Sequence, residues 1–429
     1  MLARMGSIDF KIEKKLPRGR LGRAGTLTTP HGAIETPAFV VVGTKGSVKS
    51  LSPEQVKDLG AQVVLANTYH LYLQPGEETL KKAGGIGKFM NWDGPTMTDS
   101  GGFQAFSLGA AFGLKLSKIG GELDQPDSAQ SGSGKKNSRL ALVPQGHDRD
   151  EREVMTQLAK ITEDGVEFKS VLDGSTHFFT PERSIEIQHA IAADMIFAFD
   201  ECTSPIAPFE YQKEALDRTH RWATRSLVRH QFLESTRNKE TASQALFGIV
   251  QGGRFEDLRK ESAKIIGAMD FDGFGIGGSF EKKDMNTAVG WVNAILPEEK
   301  PRHLLGIGDP LDLFDAVLEG CDLFDCVAPT RIARHGTLYT NRGVIHITGA
   351  AYRNDFSPIV EGCGCYACKH FTKAYLGYLF RAREFLAYTL ASIHNLYFIV
   401  NLVKKMRQSI LDETFERMRE DFVRDYTFK

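Results

Sequence analysis

Residues 246–278 read LFGIVQGGRFEDLRKESAKIIGAMDFDGFGIGG. Two short apolar runs, Leu246–Val250 and Gly273–Ile276, bracket a helix-like stretch at Phe255–Met269. Each run stops at glycines, Gln251-Gly252-Gly253 after the first and Gly277-Gly278 after the second. Apolar runs this short, separated by one amphipathic helix, are the signature of parallel strands joined by a crossover. The pattern continues outward in both directions. Further strand candidates are Ala38–Val42, Gln62–Ala66, Met195–Phe199, His303–Gly306 and Leu323–Val327. Further helix candidates are Pro53–Leu59, Pro181–Ala192, Tyr211–Glu234, Met285–Ile295 and Pro310–Leu318. Ser52 before Pro53 and Thr180 before Pro181 read as N-caps followed by proline in the first turn.

Repeated strand–helix units imply an α/β protein with a parallel sheet and helices outside it. Polar or glycine signals follow nearly every strand: Asp200-Glu201, Gln251-Gly252-Gly253, Gly277-Gly278, Gly306 and Asp325. In a (β/α)8 barrel the carboxyl ends of the strands build the active site. So many polar strand ends converging on one mouth favour the barrel over an open sheet.

The chain has 429 residues and a formal net charge of −1, so any attraction to nucleic acid must come from local patches. The N-terminal MLARMGSIDFKIEKK lacks the apolar run of a signal peptide, and no stretch is expected to approach the length of uncharged apolar sequence needed to span a bilayer. The expected location is cytoplasmic, where clustered cysteines point to metal rather than to disulfides. Two segments break the strand–helix pattern. Residues 110–157 are hydrophilic, contain SAQSGSGKKNS and read as a surface insertion. From about Asp355 the chain carries cysteines and then becomes strongly helical. The expected division is a barrel over 1–354 and a zinc-binding helical subdomain over 355–429.

Cys363, Cys365 and Cys368 place three thiols within one short glycine-containing turn. With His394 from the helix-like SIHNLYFIV they complete the donor set of a tetrahedral structural zinc site. His370 is a rival fourth ligand, set back by its closeness to Cys368. Cys202, Cys321 and Cys326 stand apart and read as packing residues. Four protein ligands leave zinc no open position, so it has no expected catalytic role.

Three aspartates follow apolar or strand-like runs: Asp99 in TMTDSGGFQ, Asp200 in FAFDECTSP and Asp325 in CDLFDCVAPTR. Any one of them alone reads as a turn or cap former. All three at strand ends, with Gln251 and a Gly-Gly pair nearby, point to a site.

TDSGGFQ, FDECT, FGIVQGG, FDGFGIGG, LFDCVAPTRIARHG and CGCYACK with IHNL resemble the motif series of the tRNA-guanine transglycosylases. LTTPHGAIETPAF and LANTYHLYLQPG are similar to that family as well. The resemblance runs from about residue 20 to the end, apart from the insertion. It implies an irregular (β/α)8 TIM barrel with a zinc-bearing subdomain. It also implies exchange of guanine in a tRNA anticodon loop for a 7-deazaguanine base.

On that resemblance Asp325 holds the nucleophile position and Asp99 that of the general acid/base. Asp200, Gln251 and Gly278 match base-recognition positions, and Phe103 and Leu305 the residues that sandwich the base. For that pair, core packing is a serious rival reading. Arg331 and Arg334 resemble the family's anticodon-loop contacts. Lys369, Lys373, Arg381, Arg383, Lys404, Lys405 and Arg407 could add a basic face, with a solvated helix surface equally open for each. A homodimer formed through the zinc region is the implied assembly.

Two features depart from the family pattern. One is the insertion, which starts close to Asp99. The other follows Gly278, where Ser279-Phe280-Glu281 stands in place of the bacterial GGLAVGE continuation. That second departure bears on the identity of the incoming base. Competing readings are a barrel hydrolase with paired carboxylates and a non-catalytic tRNA-binding partner subunit. The zinc motif and PTRIAR weigh against the first, and retention of both Asp99 and Asp325 against the second.

Overall fold

The computed structural model describes residues 7–17, 19–104, 159–170, 172–238, 241–278 and 284–427. Strands β1 (Asp9–Lys15), β2 (Arg23–Thr29) and β3 (Gly32–Thr36) form an antiparallel sheet ahead of the barrel. Eight short parallel strands then close on themselves. They are β4 (Ala38–Val42), β5 (Val64–Ala66) and β6 (Thr96–Thr98), followed after a second antiparallel sheet of β7 (Ala159–Ile161), β8 (Val166–Lys169) and β9 (Thr176–Phe179) by β10 (Met195–Phe197), β11 (Ala245–Val250), β12 (Gly273–Ile276), β13 (Arg302–Leu304) and β14 (Leu323–Asp325). β14 closes the ring on β4 with Leu323 opposite Ala38 and Asp325 opposite Val40. A hairpin of β15 (Thr337–Thr340) and β16 (Gly343–His346) leads into the C-terminal helices.

Side-chain alternation along the strands separates two apolar layers. Val40, Val42, Leu65, Met97, Phe197, Phe247, Ile249 and Leu323 fill the barrel interior. Phe39, Val41, Val64, Ile196, Leu246, Phe274, Leu304 and Phe324 face the surrounding helices. Leu27 and Ile34, from the sheet of β1–β3, join the interior layer. The interior is thus a packed core, and only its carboxyl end is left for chemistry.

The expected α/β barrel is what the chain forms. Seven of its strands fall on the sequence candidates, and both caps are present: Ser52 accepts from the Gln55 amide and Thr180 from the Arg183 amide. The eighth strand, Thr96–Thr98, was absent from those candidates because three residues with two threonines give no apolar run. Several strands also end sooner than their apolar runs suggest. Met195–Phe199 is strand only to Phe197, and Leu323–Val327 only to Asp325. Beyond those points the backbone turns to aim side chains over the mouth. The residues expected to form the insertion, 110–157, lie outside those described, as do Ser279, Phe280 and Glu281.

One expectation fails. Helix Phe385–Leu411 is long and apolar enough to cross a membrane, and its first nineteen residues, Phe385–Val403, carry no Asp, Glu, Lys or Arg. About 67% of its most apolar window is buried within the protein. It is hydrophobic on several faces because it packs against several layers at once: β4, the β15 hairpin and the cysteine segment. Arg407, near its far end, pairs with Glu13 at 2.7 Å and donates to the Thr36 carbonyl at 3.0 Å. Core burial explains its composition.

Candidate active site

All eight strands deliver a polar or glycine residue to the mouth at or just past their carboxyl ends. In ring order, β6 supplies Asp99, β10 Asp200, β11 Gln251, β12 Gly277-Gly278, β13 Leu305-Gly306 and β14 Asp325. β4 is followed by Lys45 and Lys49, and β5 by Asn67. One cleft is lined by Asp99, Phe103, Asp200, Gln251, Gly278 and Leu305, together with Ser100, Gln104, Phe197, Cys202, Ile249 and Gly277. Six of the residues singled out in the sequence therefore meet in one place. Asp325 stands beside the cleft: Gly306, whose amide it binds, directly follows Leu305.

Asp99 sits over the amino end of helix Thr68–Leu73. Its Oδ1 accepts the Thr68 N–H at 2.9 Å, and its Oδ2 accepts the Asn67 amide. Asn67 is also that helix's N-cap, accepting the His70 N–H at 3.0 Å. Asp99 is thus held from two sides, by a backbone amide at the helix amino end and by the Asn67 side chain.

Asp200 is buried at 7% exposure, which would be costly without partners. Ser100 donates to its Oδ1 at 3.0 Å and the Gln251 amide to its Oδ2 at 2.6 Å. Gln251 is itself buried, and its Oε1 has no partner. The carbonyl face of that amide is thus open while its donor is occupied by Asp200.

Gly278 has φ +103°, and a Cβ there would lie 2.3 Å from Nη2 of Arg259. Only glycine fits that turn. Arg259 is fully buried beneath it, donating to the carbonyls of Gly253 and Gly277 at 2.7 Å each. The guanidinium therefore ties the loops after β11 and β12 together, and burial lowers its pKa to about 9.

Asp325 accepts two hydrogen bonds on one oxygen, from Nε2 of His303 and from the Gly306 N–H, both at 2.9 Å. Helix Ala328–Ala333 follows directly and carries Arg331, which is exposed, with half-buried Arg334 as its C-cap. Lys45 and Lys49 lie close to these arginines. The Lys49 ammonium is pushed below its ordinary pKa by partial desolvation and by the charges of Arg334, Lys45 and Arg331. The expected patch is thus larger than its two arginines, although the net charge of the chain is near zero.

Cys363, Cys365, Cys368 and His394 bring their ligand atoms within 4.8 Å of one another. His394 Nδ1 lies 3.5 Å from Cys365 Sγ and 3.4 Å from Cys368 Sγ. Its Nε2 donates to the Tyr339 carbonyl at 2.8 Å, which fixes the tautomer and turns the Nδ1 lone pair toward the thiols. Hydrogen bonds from Cys365 and Cys368 hold the Cys363 thiol well below its ordinary range. Three thiols and one oriented imidazole suit a metal ion. His370 is exposed and outside the group, so His394 is the fourth member. Of the basic residues around this region, Arg407 is committed to Glu13, and Lys373 pairs with Asp355 at 3.0 Å. Neither belongs to an open basic face.

Sequence reasoning missed Asn67, Thr68, Ser100, His303, Arg259, Lys45 and Lys49. Asn67 and Thr68 stood inside a quoted motif, but nothing in the sequence links them to Asp99. Residues 18–129 and 146–428 match the family described as queuine tRNA-ribosyltransferase, the interruption falling inside the stretch read as an insertion. The queuine tRNA-ribosyltransferase of Thermoanaerobacter pseudethanolicus is 44% identical over 428 residues, 99% of each chain. That of Lactococcus lactis subsp. cremoris is 43% identical over 98% of this chain and 97% of its own. That of a Roseiflexus species is 43% identical over 97% and 99%. With the barrel, the convergent carboxylates and the Cys3His group all in place, this chain belongs to the queuine tRNA-ribosyltransferase family and is a pentosyltransferase.

Proposed function

We propose that the enzyme exchanges guanine at the wobble position of a tRNA anticodon for a 7-deazaguanine, either the aminomethyl precursor of queuosine or queuine. The observation that carries this reading is the meeting of Asp99, Asp200, Gln251 and Gly278 in one cleft with Asp325 at its edge. Asp325 attacks the ribose anomeric carbon, and the bond to guanine breaks with its electron pair leaving on the base. The product is a ribosyl ester of Asp325. Asp99 supplies a proton to the departing base and later removes one from the incoming base. The ester conserves the activation of the glycosidic bond, so no redox or nucleotide cofactor is required.

Asp200 accepts from the N1–H and exocyclic amine of a guanine-like edge. The base displaces the Gln251–Asp200 hydrogen bond, and the released Gln251 amide then donates to the base carbonyl. Phe103 and Leu305 cover the two faces of the ring. Arg331, Arg334, Lys45 and Lys49 bind the anticodon loop, whose single-stranded bases are splayed out at low cost. Zinc is the metal that three thiols and an imidazole suit best. It fixes the C-terminal segment, 355–429, read here as a subdomain on a 1–354 barrel, and no chemical step passes through it.

A homodimer is the proposed assembly. Its support is a set of exposed aromatics in the C-terminal segment that carries the cysteine group, Phe385 at 84% and Phe356 at 75% exposure among them, with exposed Tyr366 next to Cys365. Light scattering giving a single-chain mass at micromolar concentration would overturn that assignment. A tRNA substrate fits a cytoplasmic location, and an extracytoplasmic pool in fractionated cells would count against it. The decisive experiment for the activity offers labelled guanine-containing tRNA to the purified enzyme with each 7-deazaguanine. Nucleoside mass spectrometry should find the new base in place of guanine. Free guanine with an abasic tRNA would make the enzyme a hydrolase.

A further inference from the structure

His303 is the middle residue of β13 and is fully buried. It faces Gly275 of β12 and Leu323 of β14 across the ladder. Its ring lies 5.5 Å from that of Phe197 on β10, inclined at 60°. Phe197, Ile249 and Leu323 belong to the apolar interior layer. A hydrophobic side chain would satisfy the packing at this position. Histidine instead reaches up through Nε2 to Oδ1 of Asp325 at 2.9 Å. Its Nδ1 is buried with no hydrogen-bond partner.

These two facts fix the direction of the hydrogen bond. A carboxylate oxygen can only accept, so Nε2 carries the proton and His303 is the donor. Among the described residues, β10, β12 and β14 present Phe197, Gly275 and Leu323 around the ring, and Asp325 is its hydrogen-bond partner.

We infer that His303 is the positioning residue for Asp325, holding one carboxylate oxygen from below while the Gly306 N–H holds it from the side. This rests on the transglycosylase reading above, in which Asp325 is the nucleophile. Both donors converge on Oδ1, and in this proposal Oδ2 is the oxygen that attacks the ribose. When Oδ2 bonds to the anomeric carbon and guanine departs with the electron pair, Oδ1 becomes the ester carbonyl. The same two donors stay on it through both displacements. When the incoming base takes the ribose, the electron pair returns to the carboxylate, and the donors stabilise the charge that reappears there.

The test compares the wild type with His303→Phe, which keeps a ring of similar size and removes the donor, and with His303→Gln, whose amide nitrogen can occupy the Nε2 position. The readouts are kcat and KM for base exchange and the single-turnover rate of guanine release. His303→Phe is expected to lose about 10²-fold in kcat and in guanine release, the scale of a lost oxyanion donor. Its KM for tRNA should stay within about twofold, since substrate binding is untouched. His303→Gln should recover roughly tenfold of that loss. A His303→Phe enzyme with wild-type kcat overturns the inference. So does an equal loss in both variants without rescue, which would mark His303 as a packing residue only. Absence of exchange by the wild type would instead defeat the transglycosylase reading.

Discussion

Asp325 offers the most direct test at the scale of one residue, because Asp325→Asn keeps the shape of the side chain and removes its charge. An amide still accepts from His303 and Gly306 through its oxygen, so the fold should hold. As a nucleophile it is far weaker, and exchange should fall by roughly 10³-fold or more. Wild-type enzyme should leave a covalent RNA adduct on a denaturing gel and the variant none. An adduct persisting in Asp325→Asn would move the nucleophile to another residue. The sequence made Asp325 visible as a strand-end carboxylate. It did not reveal His303, because a histidine two residues into a strand reads as an ordinary core position.

Among the elements, the long C-terminal helix and the cysteine turn depend on each other. His394→Ala removes one of four ligands and the helix's anchor to Tyr339. Metal content should drop from one equivalent toward none, with a clear loss of thermal stability in the C-terminal region, since structural zinc sites contribute about 10–16 kcal/mol in small peptides. Full metal occupancy in that variant would remove His394 from the ligand set. A second pair of elements carries a pH effect. His189 on helix Pro181–Ile191 lies 3.0 Å from His230 on helix Phe209–Thr236, and burial, with the His230 charge, lowers its pKa to about 3. The unfolded chain, with an ordinary histidine, binds the extra proton between about pH 6.5 and 3, so the folded state loses stability as pH falls through that window. The ring edge reaches solvent, so the expected loss from pH 7 to 5 is about 1 kcal/mol. His189→Gln should lose less over the same interval in denaturant titrations. An identical pH slope in both proteins would show that this ring does not titrate on unfolding.

Across the whole molecule, the proposed contact of this chain, of net charge −1, with a polyanion runs through one corner of its barrel mouth. Lys45, Lys49, Arg331 and Arg334 come from segments far apart in sequence, after β4 and β14, which are neighbours only because the barrel closes. Lys49→Ala or Arg331→Ala should weaken tRNA binding. If each contacts one phosphate, the slope of log affinity against log salt should fall by about 0.7 per residue. A slope unchanged in the double variant would place the anticodon loop elsewhere. What the sequence determined by itself was the alternation of short apolar runs and helices, the polar or glycine residue after most strands, the Cys3His donor set and, through its motifs, the family. Those are local patterns, set by periodicity and by residue type. Tertiary structure alone decided the strand Thr96–Thr98, whose two threonines leave no apolar run, and the burial of an apolar helix that composition would allow to span a membrane. It alone joined Asn67 to Asp99, Ser100 and Gln251 to Asp200, and His303 to Asp325. A hydrogen bond between residues on different strands depends on register and ring order, and neither is written in any one stretch of the chain.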